Sequence, residues 1–145
     1  MRANTDDWCT WSTGNLGNRV LLHLAFVAET CWSRQEWLAQ PALLAAGADV
    51  AAHWCGRYGI PARQATVAKL PGITTHDATR AWGGTDHTDP GEGFPWTEFL
   101  AEVRAARVSG WGSGCAGMSR VNGPIYRRFP AAAPVLRGLL PTAGR

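Results

Sequence analysis

The chain has 145 residues, of which 46% are hydrophobic and 17% are charged, and its formal net charge is +3 at pH 7. This length and composition are typical of one domain with its own core and exclude a wholly disordered chain. No apolar run reaches the roughly 18–20 residues that a membrane-spanning helix needs, so a membrane span is excluded as well.

Charge is divided unevenly along the chain. Residues 1–103 contain all eleven acidic residues and seven of the fourteen basic ones, whereas residues 104–145 contain seven arginines and no acid. The sequence therefore predicts a folded domain over 1–103 and a basic tail over 104–145. A poorly ordered, solvated tail is favoured over one that holds an anionic polymer such as cell wall or nucleic acid.

The N-terminus and the cysteines indicate in which cellular compartment the protein folds. Met1 to Asp7 has no basic region followed by an apolar stretch, so no secretory signal is predicted. The four cysteines form no C-x-x-C pair and are interpreted as reduced packing residues: Cys9, Cys31, Cys55 and Cys115.

The first predicted elements are a loop and a strand. Residues 1–19 are polar and rich in Gly and Asn, which indicates a loop. Val20–Ala28 is a continuous apolar run of strand length that only His23 interrupts. Such a run is typical of a strand that is buried on both faces.

Two helices follow. Ser33 and Glu36 have the spacing of a capping box, which predicts a short helix after Ser33. Pro41 suits the first position of a longer helix. That helix is predicted to end at Tyr58, because Gly59 suits the C′ position.

The second half of the chain predicts a strand, a long loop and a helix. Ile73–His76 is a short β-branched run, and residues 77–96 form a loop rich in Gly, Asp, Thr and Pro. A loop of this length without structure of its own is uncommon unless it is functional. Thr97 is predicted to cap a helix through Val103, and Val135–Leu140 can form one helical turn.

Metal-binding chemistry is concentrated at this loop. His76 ends the predicted strand, and Asp89 follows thirteen residues later, immediately before Pro90 and Gly91, which restrict the chain. Imidazole and carboxylate are zinc ligands, but a zinc site normally takes at least three ligands from the protein. From the residues alone a metal site and a hydrogen-bonded loop both remain open, and the loop is favoured.

The same region resembles the type 2 N-acetylmuramoyl-L-alanine amidases, which are zinc peptidoglycan hydrolases related to the peptidoglycan recognition proteins. The form is similar to that of actinobacterial and phage lytic enzymes, and the resemblance covers residues 8–103. The segments that carry it are His76-Asp77, Trp82–Gly91 (W-G-G-T-D-H-T-D-P-G), Phe94–Trp96, Asn18 with Val20–Ala28, Trp32–Leu38 and Arg57–Pro61.

The resemblance implies an α/β fold, a small mixed β-sheet flanked by helices. It also implies a zinc ion held by two histidines and an aspartate or cysteine, with water as the fourth ligand. His76 matches the second zinc histidine and Asp89 the third ligand. His87 stands where many relatives have a lysine, which implies that it polarises the carbonyl of the amide between N-acetylmuramic acid and L-alanine.

Other aromatic residues are candidates for substrate binding. Trp82 and Trp96 flank the loop and could stack on sugar rings, although core packing is the default for each. His23 could line the cleft, but a histidine with a satisfied hydrogen bond is favoured. His53 is interpreted as structural or solvated.

Two departures from the family pattern affect these expectations. No histidine in Met1–Asp7 matches the first zinc histidine, which we interpret as an N-terminal truncation. Ala25 stands where many relatives have a general base, and the nearest carboxylate is Glu29. We therefore expect weak or absent zinc binding, little or no amidase activity by this chain alone, and a sheet whose exposed N-terminal edge promotes self-association.

Three functions remain open at this point. The first is a peptidoglycan amidase, the second a non-catalytic module that binds peptidoglycan fragments (muropeptides), and the third a nucleic-acid-binding protein that uses residues 104–145. They are favoured in that order, with nucleic acid as an unlikely partner. The expected location is cytoplasmic synthesis with action at the cell wall, or secretion if the natural start lies upstream.

Overall fold

The computed structural model describes Asp6 and residues 9–108, and this part of the chain is helical. Its α-helices are α1 (Gly17–Val20), α2 (Arg34–Leu38), α3 (Pro41–Tyr58), α4 (His76–Thr79) and α5 (Trp96–Val108). Two short 3-10 helices lie at Val67–Lys69 and Arg80–Trp82.

The predicted α/β fold is wrong for the described residues. They contain no β-strand and no sheet, and they include an isolated bridge between Gln64 and Ile73. The exposed sheet edge that was expected to promote self-association is therefore absent from this part of the chain. The predicted loops are also partly wrong, because α1 lies within 1–19 and α4 with the second 3-10 helix lies within 77–96.

The predicted strand Val20–Ala28 is wrong because the segment has no partner strand. Val20 ends α1, and no backbone hydrogen bond joins residues 22–28 to another described segment. The segment is held instead by Phe26, whose ring packs against Gly47 of α3, where a Cβ would lie 2.4 Å from the ring. A strand requires a ladder of paired backbone groups, and side-chain packing does not replace it.

The predicted strand Ile73–His76 is wrong for a local reason. The side chain of Thr75 accepts a hydrogen bond from the backbone N–H of Ala78, so Thr75 caps α4 and His76 begins that helix. Thr and Asp at helix N-termini satisfy backbone donors that have no partner within the helix.

The helix signals in the middle of the chain are confirmed. Ser33 and Glu36 form a capping box at the start of α2, and Pro41 is the first residue of α3. Gly59 ends α3 in the left-handed conformation, with φ of 66°. The last described helix begins at Trp96, one residue before the predicted cap, and continues beyond Val103.

The core lies between α3 and α5 and is completed by aromatic rings. Small and aliphatic side chains of α3 face Phe99 and Val103 of α5. Trp37 and Phe94 lie edge to face with ring centroids 5.0 Å apart, and Phe26 contacts both rings. Edge-to-face pairs of this kind add to the stabilisation from apolar burial. Phe94 thereby fixes the end of the long loop on the helices.

Two further sequence predictions concern a membrane span and the basic tail over 104–145. No helix in the described part is long and apolar enough to cross a membrane. Residues 104–108 belong to α5, whereas the rest of the predicted tail, including Cys115 and the turn at Val135–Leu140, lies outside the described residues.

Candidate metal centre

His76 is held by the short helix that it begins. The backbone N–H of Ala78 donates to the Thr75 hydroxyl over 2.9 Å, and the Thr79 hydroxyl donates to the His76 carbonyl over 2.8 Å. Thr79 is completely buried. The side chain of His76 is only 14% exposed, so its position is fixed by the surrounding residues.

Asp89 is brought beside His76 by the backbone. The N–H of Asp77 donates to the Asp89 carbonyl over 3.3 Å, and the N–H of Gly91 donates to the Thr88 carbonyl over 2.9 Å. The first bond joins the loop to α4, and the second closes a turn around Asp89. The carboxylate is therefore positioned by main-chain contacts on both sides.

Two glycines dock the end of this loop on the chain before α2. A Cβ on Gly91 would lie 2.0 Å from the Thr30 carbonyl oxygen, and one on Gly93 would lie 2.0 Å from the Trp32 carbonyl oxygen. Gly91 also has φ of +86°, which side-chain-bearing residues rarely adopt. Only glycine allows the two backbones to approach this closely.

Asn15 docks the beginning of the loop on the N-terminal part of the described chain. Its side-chain amide donates to the carbonyls of Thr79 and Gly83 over 3.0 and 2.8 Å. Gly14 and Gly84 lie in contact beside it, because a Cβ on either would lie 2.7 Å from the carbonyl oxygen of the other. Sequence analysis missed Asn15, since nothing in its local pattern indicates a contact with residues so distant in the chain.

His76, His87 and Asp89 converge. His76 Nδ1 lies 3.1 Å and His87 Nδ1 lies 3.6 Å from Asp89 Oδ1. The two imidazole rings are stacked, with centroids 4.5 Å apart and planes 9° from parallel. One ligand atom from each of the three residues lies within 4.8 Å of the others, and we call these residues the His-His-Asp cluster.

Thr85 connects the two histidines of the cluster. Its hydroxyl oxygen lies 3.1 Å from His76 Nε2 and accepts a hydrogen bond from the His87 backbone N–H over 3.3 Å. Sequence analysis did not single out Thr85. The available signal was a hydroxyl two residues before a histidine in a Gly-rich loop, a position from which it can contact the nearby backbone.

His23 lies near the cluster but is not one of its members. Its Nε2 lies 3.1 Å from the Gly17 carbonyl oxygen. Partial burial lowers the pKa of His23, the hydrogen bond to Gly17 opposes that shift, and the charge of His76 lowers the pKa further. His23 therefore favours its neutral form and has a satisfied hydrogen bond.

The remaining candidates are distributed around the loop. The Trp96 ring is partly buried and packs against the core residues Phe94 and Phe99, with centroids 4.9 and 6.3 Å apart. Trp82 is partly buried at the end of the second 3-10 helix, immediately before the loop. His53 lies on α3.

The donor set of the cluster suits a metal ion. Neutral imidazole nitrogens and a carboxylate oxygen are the ligands that zinc takes in proteins, and three protein ligands leave a position for water or substrate. Hard cations such as magnesium and calcium prefer oxygen ligands, so two histidines favour zinc or a related transition metal. The cluster fits zinc by its chemistry.

Comparisons with known proteins add no identification. No protein-family model, no curated protein and no solved structure matches this chain. The functional assignment therefore depends on the residues of the His-His-Asp cluster and on their surroundings.

Proposed function

We propose that this chain is a zinc-dependent peptidoglycan hydrolase that cleaves the amide between N-acetylmuramic acid and L-alanine. The observation that carries the proposal is the approach of His76 and Asp89, whose Nδ1 and Oδ1 atoms lie 3.1 Å apart. These two residues lie in the part of the chain that resembles the type 2 amidases, and they match the ligand positions of that family.

The surroundings of the two ligands support a hydrolytic site. Zinc would supply a Lewis acid that polarises the amide carbonyl and lowers the pKa of an attacking water molecule. The Asp89 side chain is 45% exposed, so a polymeric substrate can approach the cluster from solvent. Trp82 lies at the start of the loop, where its indole can stack on a sugar ring.

His87 has two roles open to it beside these ligands. It could contact the carbonyl oxygen of the substrate and stabilise the developing negative charge, as the lysine of many relatives would. Alternatively it could bind the metal. Both roles place His87 beside His76 and Asp89.

We expect the hydrolysis to be slow. Ala25 has no ionisable side chain, and Glu29, the nearest carboxylate in sequence, is exposed and is not a member of the cluster. A well-placed general base typically contributes about 10²–10⁴-fold to a rate. The same observation favours a second candidate function, a module that binds muropeptides without cleaving them.

The test uses purified cell-wall sacculi, the 145-residue chain and added zinc. We expect slow release of new L-alanine amino termini, at a low level, without new reducing sugar ends, and a strong chelator should stop the release. Asp89→Ala should abolish it, because a proposed ligand is lost. Asp86→Ala is the matched control, since Asp86 is an exposed aspartate of the same loop that is not part of the cluster.

Two results would contradict the amidase proposal. Sedimentation of the chain with sacculi, without release of amino termini, would favour the muropeptide-binding module. Release that persists in Asp89→Ala or in chelator would exclude a zinc mechanism at this site.

A further inference from the structure

We propose that His87 is itself a zinc ligand, so that His76, His87 and Asp89 form a three-residue metal centre within residues 76–89. The inference rests on the zinc site of the proposed function and changes the role of one residue. By resemblance to the amidases, position 87 would hold a group that polarises the substrate. The contacts of His87 in this chain favour a different role.

The first argument is the direction of the His87 side chain. Its ring stacks on His76 with centroids 4.5 Å apart, and its Nδ1 lies 3.6 Å from Asp89 Oδ1. A group that only contacts the substrate carbonyl needs no contact with the metal ligands. His87 instead lies against both of them, with a ring nitrogen beside the same carboxylate oxygen that His76 approaches.

The second argument is the spacing of the ligand atoms. A tetrahedral zinc ion with bonds of about 2.0–2.1 Å separates its ligand atoms by about 3.3 Å. The distances from Asp89 Oδ1 are 3.1 Å to His76 Nδ1 and 3.6 Å to His87 Nδ1, on either side of that value. All three residues have ligand atoms within 4.8 Å of one another.

The third argument is that the His87 ring, which must turn if both histidines are to bind one ion, has room to turn. Stacked rings have to turn before both nitrogens can face one ion. The side chain of His87 is 64% exposed, whereas that of His76 is 14% exposed. His87 can therefore turn its ring nitrogen towards the space beside His76 Nδ1 and Asp89 Oδ1, where the three residues would hold the ion, without disturbing the core.

The fourth argument is the support for the two rings. Thr85 contacts the Nε2 of His76 and accepts from the backbone N–H of His87. Outer-shell partners of this kind orient metal-binding histidines and fix which ring nitrogen carries the proton. If His76 Nε2 donates to the Thr85 hydroxyl, the lone pair of His76 is on Nδ1 and faces the Asp89 carboxylate. Both groups could then bind the same cation.

A third ligand changes the expected zinc affinity. Weak zinc binding was expected because the sequence indicated only two protein ligands, His76 and Asp89. That expectation does not hold if His87 is a third ligand. Three protein ligands also leave one position open, which is the arrangement of catalytic zinc sites. The ligand set would then need no contribution from any other segment of the chain.

The experiment measures zinc affinity directly. The full chain is stripped of metal and titrated with zinc in competition with a chromophoric chelator, and the cobalt-loaded form is followed by its ligand-field absorption. We expect His87→Ala to weaken zinc binding by more than about 100-fold, beyond the 10–100-fold that loss of an outer-shell partner usually causes. His87→Lys should do the same and should change the cobalt spectrum. His53→Ala, a histidine of α3, is the matched control and should bind zinc as the unchanged chain does.

The outcomes separate this inference from the proposed function. If zinc affinity falls in His76→Ala and Asp89→Ala but survives in His87→Lys, His87 is not a ligand and the amidase proposal stands. If all three variants lose zinc but the unchanged chain never cleaves sacculi, the metal centre stands and the amidase proposal is wrong. Absence of zinc binding by the unchanged chain would overturn both.

Discussion

Thr85 lies outside the cluster, but a small change in its side chain should affect the cluster. Its hydroxyl contacts both histidines, yet it has no ligand atom of its own in the cluster. Thr85→Val keeps the shape of the side chain and removes the hydroxyl. We expect it to weaken zinc binding by about 10–100-fold, because the His76 ring loses the partner that orients it.

Thr85→Ser is the control for this prediction. It keeps the hydroxyl and loses only a methyl group, so its zinc affinity in the competition titration should lie close to that of the unchanged chain. Equal affinities for the Val and Ser variants would show that the hydroxyl does not support the ligands. The contacts of Thr85 would then serve only to fold the loop.

At this scale the sequence predicted part of the site. The pairing of His76 with Asp89 was expected from a motif, and the two side chains do lie together. His87 was expected in the site as a group that polarises the substrate, but its contacts with both His76 and Asp89 were not predicted, because the direction of a side chain in a Gly-rich loop depends on how the loop is docked. That docking uses Asn15 and the contact of Gly91 with Thr30, which join residues far apart in the sequence.

Among the elements, α2, α3 and α5 were predicted, whereas the short helices α1 and α4 were missed and both predicted strands were wrong. The start of α2 at Ser33 and the end of α3 at Gly59 depend on residues within one turn, so local sequence contains the necessary information. The run Val20–Ala28 has the composition of a strand, but a strand also needs a partner that local sequence cannot specify. In the described residues that partner is absent, and Phe26 packs on α3 instead.

The docking of the loop on the chain before α2 can be tested with one added methyl group. Gly93→Ala would place a Cβ 2.0 Å from the Trp32 carbonyl oxygen, and backbone atoms cannot move aside cheaply. We expect it to lower the free energy of unfolding by about 1–3 kcal/mol, the usual cost of overpacking. It should also weaken zinc binding, because the loop that carries Asp89 is displaced.

Gly56→Ala makes the same chemical change where there is space. A Cβ on Gly56 would meet nothing within 4 Å, and the residue lies inside α3. Alanine is favoured over glycine in a helix by about 1 kcal/mol, so this variant should be as stable as the unchanged chain or more so. Both free energies can be measured by urea denaturation. A Gly93→Ala variant as stable as Gly56→Ala would contradict the close contact with Trp32.

For the molecule as a whole, the packing of α3 on α5 is the contact that supports the site. Phe94, at the end of the loop, lies in the same aromatic cluster as Phe99 of α5 and Trp37 of α2. Arg34 of α2 and Glu98 of α5 form an ion pair at the surface of this cluster. The packing of the helices therefore helps to hold the end of the loop, so the geometry of the His-His-Asp cluster and global stability are coupled.

Cysteine reactivity gives a measure of that packing. Cys55 of α3 is 1% exposed, and burial raises the pKa of its thiol, an effect that the charge of Arg107 partly opposes. Cys9 and Cys31 are exposed. Because the thiolate is the reactive form, we expect alkylation of Cys55 to be at least about 100-fold slower than that of Cys31. Site-resolved mass spectrometry would measure each rate.

Two valines of α5 turn this measurement into a test of the α3–α5 contact. Val103 is completely buried in the core that contains Cys55, whereas Val108 on the same helix is 89% exposed. Val103→Ala leaves a cavity beside α3 and should accelerate the alkylation of Cys55, since opening of the core becomes easier. Val108→Ala should leave that rate unchanged. If both variants, or neither, accelerated the reaction, the protection of Cys55 would not depend on the packing of Val103, and the close contact of α3 with α5 would be contradicted.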